Sequence, residues 1–244
     1  MAEILWITNV SIVDVANRSI GQLCSVRVEG DRIAAIEDTK FGALGEPGRV
    51  IDGSGRYLCP GLIDSHVHFF LDASSDPRAA YLAASDNDRL GWARRNGRIA
   101  LEAGITTMRD CAAPAPLMFE FKHKIDAGEV LGPHIIPCGY ALMRPGGHCH
   151  FLGGEVADVG QLRERLEWLL EQGIGFVKLM ASGGGLTPGS VPHEADLAPE
   201  IMNEAAAIAR ANGLTITAHC HATESIVRAI DAGLPMIEHA NFVE

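Results

Sequence analysis

The sequence predicts an α/β fold of the (β/α)8 or TIM-barrel type, preceded by a small β-rich segment. After Pro60, short apolar runs of strand length alternate with helix-periodic segments, which is typical of parallel βα units. Residues 1–59 instead hold β-branched runs separated by turn formers, without a convincing helix. We therefore divide the chain into residues 1–59 and 60–244, and we favour a barrel over an open sheet, which spacing alone does not separate.

Six strands and five helices are predicted after Pro60. The strands are expected at 61–66, 105–111, 134–142, 176–181, 215–221 and 236–242. The helices are expected at 88–103, 116–127, 160–172, 198–212 and 222–232, and a glycine suited to a left-handed C-terminal cap follows each of them. The 244-residue chain leaves 185 residues after residue 59, whereas a (β/α)8 barrel takes about 250. We expect either an incomplete barrel of about six βα units, as in a fragment of a longer protein, or an unusual six-unit sheet.

Composition limits the function classes. Twenty Lys and Arg against 31 Asp and Glu give a formal charge of -11, which argues against a nucleic-acid or anionic-membrane partner and fits an enzyme with a small-molecule substrate. The six cysteines form no CxxC pair and mostly lie in apolar runs, so we expect buried thiols in a reducing compartment. With neither a signal peptide nor a membrane span in the sequence, we expect a cytoplasmic, soluble protein.

Metal-competent side chains recur at the ends of the predicted strands. In "PGLIDSHVH", His66 and His68 are two residues apart and face the same side of an extended segment, so two imidazoles can bind one ion. Arg109 and Asp110 end the second strand, and His239 lies in the sixth. The carboxyl ends of parallel barrel strands converge on one face, where active sites lie.

Lys178 is the most informative of these residues. It lies in the middle of the apolar run "GFVKLMASGGG", where an unpaired ammonium would be expensive to desolvate. A neutral amine at this position can take up carbon dioxide and become an anionic carbamate with two oxygen ligands. The alternative is a buried ion pair with a carboxylate, which the nearby histidines make less favourable.

The histidines differ in how specific they are. His219 and His221 share one strand face in "TAHCH", so the sequence does not decide which binds metal. We prefer His219, which is deeper in the strand, and place His221 near the rim. His123 on a predicted helix and His134 at a strand start are interpreted as structural.

The ordered motifs "PGLIDSHVH", "FVKLMASGG", "TAHCH" and "IEHANF" resemble the metal-dependent amidohydrolase superfamily over nearly the whole chain. The resemblance implies a (β/α)8 barrel flanked by a small β-sandwich, of which residues 1–59 would be the N-terminal portion. It also implies two divalent metal ions, with zinc as the expected metal. His66 and His68 would hold one ion, N6-carboxylated Lys178 would bridge, and His219 and His239 would hold the second.

Further motifs are similar to one branch of that superfamily. The runs "GGHCHFLGG", "ASGGGLTPGSVPHEADL" and "HCHATESIVRAIDAG" look most like prolidase-type, imidazolonepropionase-related dipeptidases. The implied reaction is hydrolysis of an amide C–N bond, in dipeptides or N-acyl amino acids, by a metal-bridging hydroxide. His148, His150 and His221 are the candidate catalytic donors. Arg109 could hold a substrate carboxylate or form a salt bridge with Asp110.

Alternatives with the same metal ligands stay open. Cyclic amides, lactones and phosphotriesters are substrates for which the sequence predicts the same site. The family's strand-eight aspartate has no counterpart in this sequence, and two missing strands would leave sheet edges unpaired. We therefore expect the 244-residue chain alone to be inactive or to have weakened activity. A catalytically impaired relative of the family stays an open alternative. A homo-oligomer stays open as well.

Overall fold

The structure is a computed structural model that describes residues 3–38 and 47–243. It divides into two compact units, Met1–Gly61 and Leu62–Glu244. The predicted segment 1–59 includes residues outside the described ranges. The described part of the chain combines strands and helices, as the predicted α/β class requires.

The first unit is built on one four-stranded sheet. Its strands are β1 (Ile4–Asp14), β2 (Ser19–Glu29), β3 (Arg32–Glu37) and β4 (Arg49–Leu58), in the order β3-β2-β1-β4. Strand β1 is antiparallel to β2 and parallel to β4. Val10, Cys24 and Val26 form its buried apolar cluster. The described residues of this unit contain no helix, as predicted, while the β-sandwich stays a prediction.

The second unit carries six parallel strands. They are β5 (Leu62–Val67), β6 (Ile105–Asp110), β7 (His134–Pro137), β8 (Phe176–Met180), β9 (Thr215–Cys220) and β10 (Met236–His239). They pair as two sheets, β5-β6-β7 and β8-β9-β10. Leu142 joins the sheets through a parallel bridge to Leu179, with Leu142 N donating to Lys178 O at 2.8 Å. Each of the six strands begins within one residue of its predicted start.

Six helices are found in the described part of this unit. They are α1 (Pro77–Ala83), α2 (Asp86–Glu102), α3 (Ala115–Asp126), α4 (Val159–Glu171), α5 (Pro199–Ala211) and α6 (Thr223–Asp231). The five predicted helices are confirmed within two residues at each end. A glycine at positive φ follows each of them, at Gly104, Gly128, Gly173, Gly213 and Gly233. Helix α1 was not predicted, because its seven residues are too few to show a helical period.

Two predicted strands were too long. The strand expected at 134–142 ends at Pro137, because Gly139 has φ 67° and only Leu142 returns to pair with β8. The strand expected at 236–242 ends at His239, where φ is 76°, and Ala240 follows with φ 51°. A left-handed backbone conformation cannot continue a strand, so the chain turns away after each of these two strands.

Aromatic packing fixes the chain just after the HxH pair. Phe69 and Phe70 are each 1% exposed, and their ring centroids lie 5.7 Å and 6.2 Å from that of Phe121 on α3. The buried Asp110 carboxylate also accepts a hydrogen bond from Phe69 N at 2.9 Å. The carboxyl end of β5 is therefore anchored by packing on one side and by a buried hydrogen bond on the other.

The cysteines are free thiols, and all six lie in the described ranges. Five of them are buried, as predicted, whereas Cys59 is exposed immediately after β4 and belongs to none of the buried apolar clusters. No helix in the described ranges combines the length and apolarity needed to cross a membrane.

Candidate active site

A cavity of about 250 Å³ lies at the carboxyl ends of β5, β8, β9 and β10. Its walls combine six histidines and one lysine with four smaller or apolar residues. The lining residues are His66, His68, His148, Cys149, Lys178, Met180, Gly185, Leu186, His219, His221 and His239. All five residues predicted to hold metal therefore line one cavity, together with two of the three predicted catalytic histidines.

The histidine rings form a contiguous set around this cavity. The centroid of His66 lies 5.3 Å from that of His68 and 5.0 Å from that of His239. The His219 ring lies 4.7 Å from His239 and 4.4 Å from His221. Strands distant in sequence thus deliver nitrogen donors to one place.

Lys178 lies at the centre of β8 and is 1% exposed. Its Nζ has no hydrogen-bond partner in the structure. The predicted alternative of a buried ion pair for this lysine is therefore wrong, because no described carboxylate pairs with it. A buried, unpartnered amine is costly unless another group compensates it.

Hydrogen bonds fix three of the rings. His68 Nδ1 lies 3.2 Å from the Ala112 carbonyl oxygen, and His219 Nε2 lies 3.0 Å from the Gly183 carbonyl oxygen. A carbonyl only accepts, so each of these nitrogens donates its hydrogen and the opposite ring nitrogen keeps a lone pair. His66 Nδ1 lies 2.9 Å from Glu238 Oε2. Outer hydrogen bonds of this kind orient metal-binding histidines.

Burial keeps four of the cavity histidines neutral. It lowers the pKa of His219 to about 2 and that of His68 to about 3. It also lowers the pKa of His148 and of His239 to about 4. Neutral imidazole is the form that binds metal, so these rings are ready to coordinate an ion at pH 7.

Two groups of side chains in the described ranges could hold a metal ion. His219, His221 and His239 bring their ligand atoms within 4.8 Å of one another, as do His66, Cys111 and Glu238. The first group contains both candidates on β9. His219 is buried and His221 is half-buried, which agrees with our preference for His219 as the deeper ligand.

The predicted catalytic histidines fall in two places. His148 and His221 line the cavity, and the Nδ1 atom of each is buried without a hydrogen-bond partner. His148 packs on Gly184, where an added Cβ would lie 2.5 Å from His148 Nε2. His150 is not among the lining residues, and its Nδ1 lies 3.1 Å from the Gly147 carbonyl oxygen.

Arg109 and Asp110 do not pair with each other. The Arg109 guanidinium pairs with Glu238, and its Nε donates to Ser65 O at 2.6 Å, so its predicted salt bridge to Asp110 is wrong. Asp110 instead accepts hydrogen bonds from the backbone nitrogens of Phe69 and Ala112. Its burial raises the pKa of this carboxyl to about 8.

The sequence analysis missed Glu238 and the cavity-lining residues Cys149 and Leu186. Burial raises the pKa of Glu238, but the His66 hydrogen bond and the Arg109 charge outweigh it and lower that pKa to about 2. Its position beside His239 in "IEHANF" was the available signal. Cys149, with φ 61°, and Leu186 lie in loops, where no periodic pattern marks a lining residue.

A parallel α/β unit with neutral histidines around a buried lysine defines a protein with a site suited to divalent cations. Residues 57–244 match the amidohydrolase family. The chain therefore belongs to that family, and the resemblance given by its motifs is confirmed.

Individual proteins agree with this assignment. The chain is 28% identical over 218 residues to ochratoxinase of Aspergillus niger, covering 77% of this chain and 44% of that protein. A solved prolidase in complex with N-methylphosphonate-L-proline has a TM-score of 0.87 at 24% identity, covering 99% of this chain and 62% of the other. A solved amidohydrolase has a TM-score of 0.86 at 26% identity, with the same coverage. The chain thus spans less than two thirds of each relative.

Proposed function

We propose that the whole protein is a metal-dependent hydrolase that cleaves amide C–N bonds in dipeptides or N-acyl amino acids. The observation that carries the proposal is the buried, unpartnered Nζ of Lys178 in a cavity lined by six histidines. Membership of the amidohydrolase family supports hydrolysis. The structural likeness to proteins described as a prolidase and a Xaa-Pro dipeptidase supports the substrate class.

The residues of the cavity fit a pair of divalent ions. His66 and His68 would hold one ion, and His219 and His239 the other. Lys178, once carboxylated on Nζ, would contribute two oxygen ligands shared by the two ions. Carboxylation would also account for the Nζ atom, which has no hydrogen-bond partner. Imidazole nitrogens with carboxylate-like oxygens are a donor set that zinc prefers.

When bound, such ions lower the pKa of water and polarise a carbonyl group. The protein's own side chains would do the remaining work. His148 and His221 can exchange a proton with the leaving nitrogen, because the Nδ1 of each has no other partner. Met180 and Leu186 form an apolar wall that limits the access of bulk water to the substrate.

We also propose the architecture that the family implies. The six parallel strands with their helices would be the larger part of a (β/α)8 barrel, and residues 1–59 would belong to a β-sandwich. The parallel pairing of Leu142 with Leu179, which joins the two three-stranded sheets, supports the barrel. Barrel enzymes place their sites at the carboxyl ends of the strands, where this cavity lies.

A substrate panel tests the proposed reaction. The whole protein, loaded with zinc, is assayed with Xaa-Pro and other dipeptides, N-acyl amino acids, cyclic amides, lactones and a phosphotriester. We expect kcat/KM for the best dipeptide or N-acyl amino acid to exceed those of the other classes by at least about tenfold. Preference for a lactone or a phosphotriester would contradict the proposed substrate class.

Two histidine variants provide the matched comparison for that panel. His148→Gln should lower kcat/KM by about 10²-fold or more, as expected for a lost proton-transfer group. His123→Gln alters an exposed histidine on α3 and should leave the rate unchanged. Equal rates for both variants would remove His148 from the mechanism.

A further inference from the structure

We infer that Glu238 is a positioning residue that holds the His66 ring in the tautomer and orientation needed to bind a metal ion. The inference rests on the function proposed above. Glu238 Oε2 lies 2.9 Å from His66 Nδ1. Glu238 Oε1 accepts a hydrogen bond from Thr217 Oγ1 at 3.0 Å and pairs with the Arg109 guanidinium. The carboxylate is therefore held by three partners from three different strands.

The pairing with Arg109 settles which ring nitrogen carries the hydrogen. A carboxylate beside a guanidinium is ionised and only accepts hydrogen bonds. His66 Nδ1 must therefore donate, and in the neutral imidazole that binds metal the lone pair is then on Nε2. A carboxylate acceptor also increases the electron density of the ring, so it makes the imidazole a stronger ligand.

The two histidines of the HxH pair are supported differently. His68 Nδ1 donates to the backbone carbonyl of Ala112, which is neutral and cannot be removed by substitution. His66 depends on a charged side chain that arrives from β10, next to the proposed ligand His239. The position of His66 is thereby coupled to the strand that carries the second ion's ligand.

Glu238 also belongs to a second group of potential metal ligands. His66, Cys111 and Glu238 have ligand atoms within 4.8 Å of one another and could themselves surround an ion. The pairing of Glu238 with Arg109 argues against that, because a guanidinium next to the carboxylate repels a cation. The hydrogen on His66 Nδ1 also blocks the nitrogen that faces Glu238.

Metal affinity of Glu238→Gln tests the inference. The amide keeps the size of the side chain but loses its charge, so we expect Zn²⁺ affinity to fall by about 10- to 100-fold. Affinity is measured by competition with a chromophoric chelator. Imidazole ¹⁵N NMR of the metal-free protein should show the Nδ1–H tautomer at His66 in the wild type and a mixture in the variant.

Two further variants distinguish this role of Glu238 from direct metal binding at the Cys111 group. Thr217→Val removes one hydrogen bond to Glu238 and should weaken Zn²⁺ binding less, in the same direction. Cys111→Ser should change the affinity by less than about twofold. If Cys111→Ser weakens binding as much as Glu238→Gln, the ion lies at the Cys111 group and the inference is wrong.

The inference and the proposed function can fail separately. If Lys178→Met abolishes tight Zn²⁺ binding while Glu238→Gln keeps wild-type affinity and a single His66 tautomer, only the role of Glu238 is overturned. If neither substitution alters binding, the ion site is elsewhere and the proposed function fails with it.

Discussion

At Lys178 the requirements of stability and of function conflict. Its side chain is 1% exposed, and Nζ has no hydrogen-bond partner. A core position of this kind ordinarily holds an apolar residue, since an unpartnered polar group loses its hydration without compensation. Residues that break a local rule in this way mark functional sites.

Lys178→Met should therefore stabilise the metal-free protein. Methionine has a similar length and needs no partner, so we expect the free energy of unfolding to rise by about 1–3 kcal/mol. Urea denaturation in the presence of a chelator measures the change. Lys178→Arg is the control that keeps a polar nitrogen group at this position and should not stabilise the protein. A less stable methionine variant would show that the wild-type amine is satisfied.

Gly184 supports the position of His148. A Cβ at residue 184 would lie 2.5 Å from His148 Nε2, so Gly184→Ala should displace the ring. We expect kcat/KM on the best substrate to fall by about 10- to 100-fold while the metal content per chain is unchanged. Steady-state kinetics and metal analysis of the same sample check both parts.

Gly185→Ala is the matched control for that displacement. Apart from the two neighbouring residues in the chain, nothing lies within 4 Å of a Cβ built at residue 185. The His148 ring resonances should therefore stay at their wild-type positions in Gly185→Ala and move in Gly184→Ala. If both variants shift the ring equally, packing on Gly184 does not position His148.

Residue spacing predicted most of the cavity but not its supporting bonds. The parity of His66 and His68, together with the burial of Lys178, is encoded locally, and the structure brings all three to one cavity. Glu238 was missed because its partners, His66 and Arg109, are more than 100 positions away in sequence. Its role depends on which strands approach each other, which a local pattern does not contain.

At the scale of elements, helix periodicity was the most reliable signal. Leu162, Leu166 and Leu169 recur at helical spacing and form the buried face of α4. The strand ends were less predictable, because left-handed residues at Gly139 and His239 end β7 and β10 within apolar runs. Apolar content alone cannot signal such a turn.

Helix α2 has a reciprocal cap that can be tested directly. Ser85 Oγ accepts from Asp88 N at 3.2 Å, and Asp88 Oδ2 accepts from Ser85 N at 3.1 Å. Ser85→Ala should reduce the free energy of unfolding by about 1 kcal/mol. Urea denaturation measures this loss. Ser85→Thr keeps a capping hydroxyl and should restore most of it, whereas equal losses would mean that the cap hydroxyl is not responsible.

At the scale of the whole molecule, the buried histidines should make the metal-free protein sensitive to acid. The residues concerned are His68, His148, His219 and His239, whose pKa values burial lowers to between about 2 and about 4. In the unfolded protein their pKa is near 6.5. At pH 5 these side chains are therefore neutral in the folded protein and charged in the unfolded protein. The unfolded state binds more protons, so stability falls as the pH drops from about 6.5 towards 4.

Asp110 acts in the opposite direction. Its raised pKa, about 8, means that the folded protein at pH 5 keeps a proton that the unfolded protein has released. Four histidines gain a proton on unfolding while this carboxyl loses one, so unfolding should take up about three protons. Urea denaturation of the metal-free protein between pH 4 and 7 measures the slope. Stability that is flat across this range would contradict the neutral histidine cluster.

The family assignment covers the larger unit and was predictable from four ordered motifs. Residues 57–244 match the amidohydrolase family, as the order of histidine and lysine motifs indicated. The choice of substrate was not predictable in the same way. Loop residues such as Leu186 and Cys149 line the cavity without following a sequence period, so a local pattern does not identify them.

The most direct measurement of the central claim is the metal content per chain of the purified protein. Wild type and Lys178→Met are dialysed in parallel against metal-free buffer and analysed by plasma mass spectrometry. The account predicts about two divalent ions per wild-type chain, with zinc predominant, and a clear loss in the lysine variant. A wild-type chain without bound metal, or equal content in both proteins, would contradict a Lys178-centred metal site.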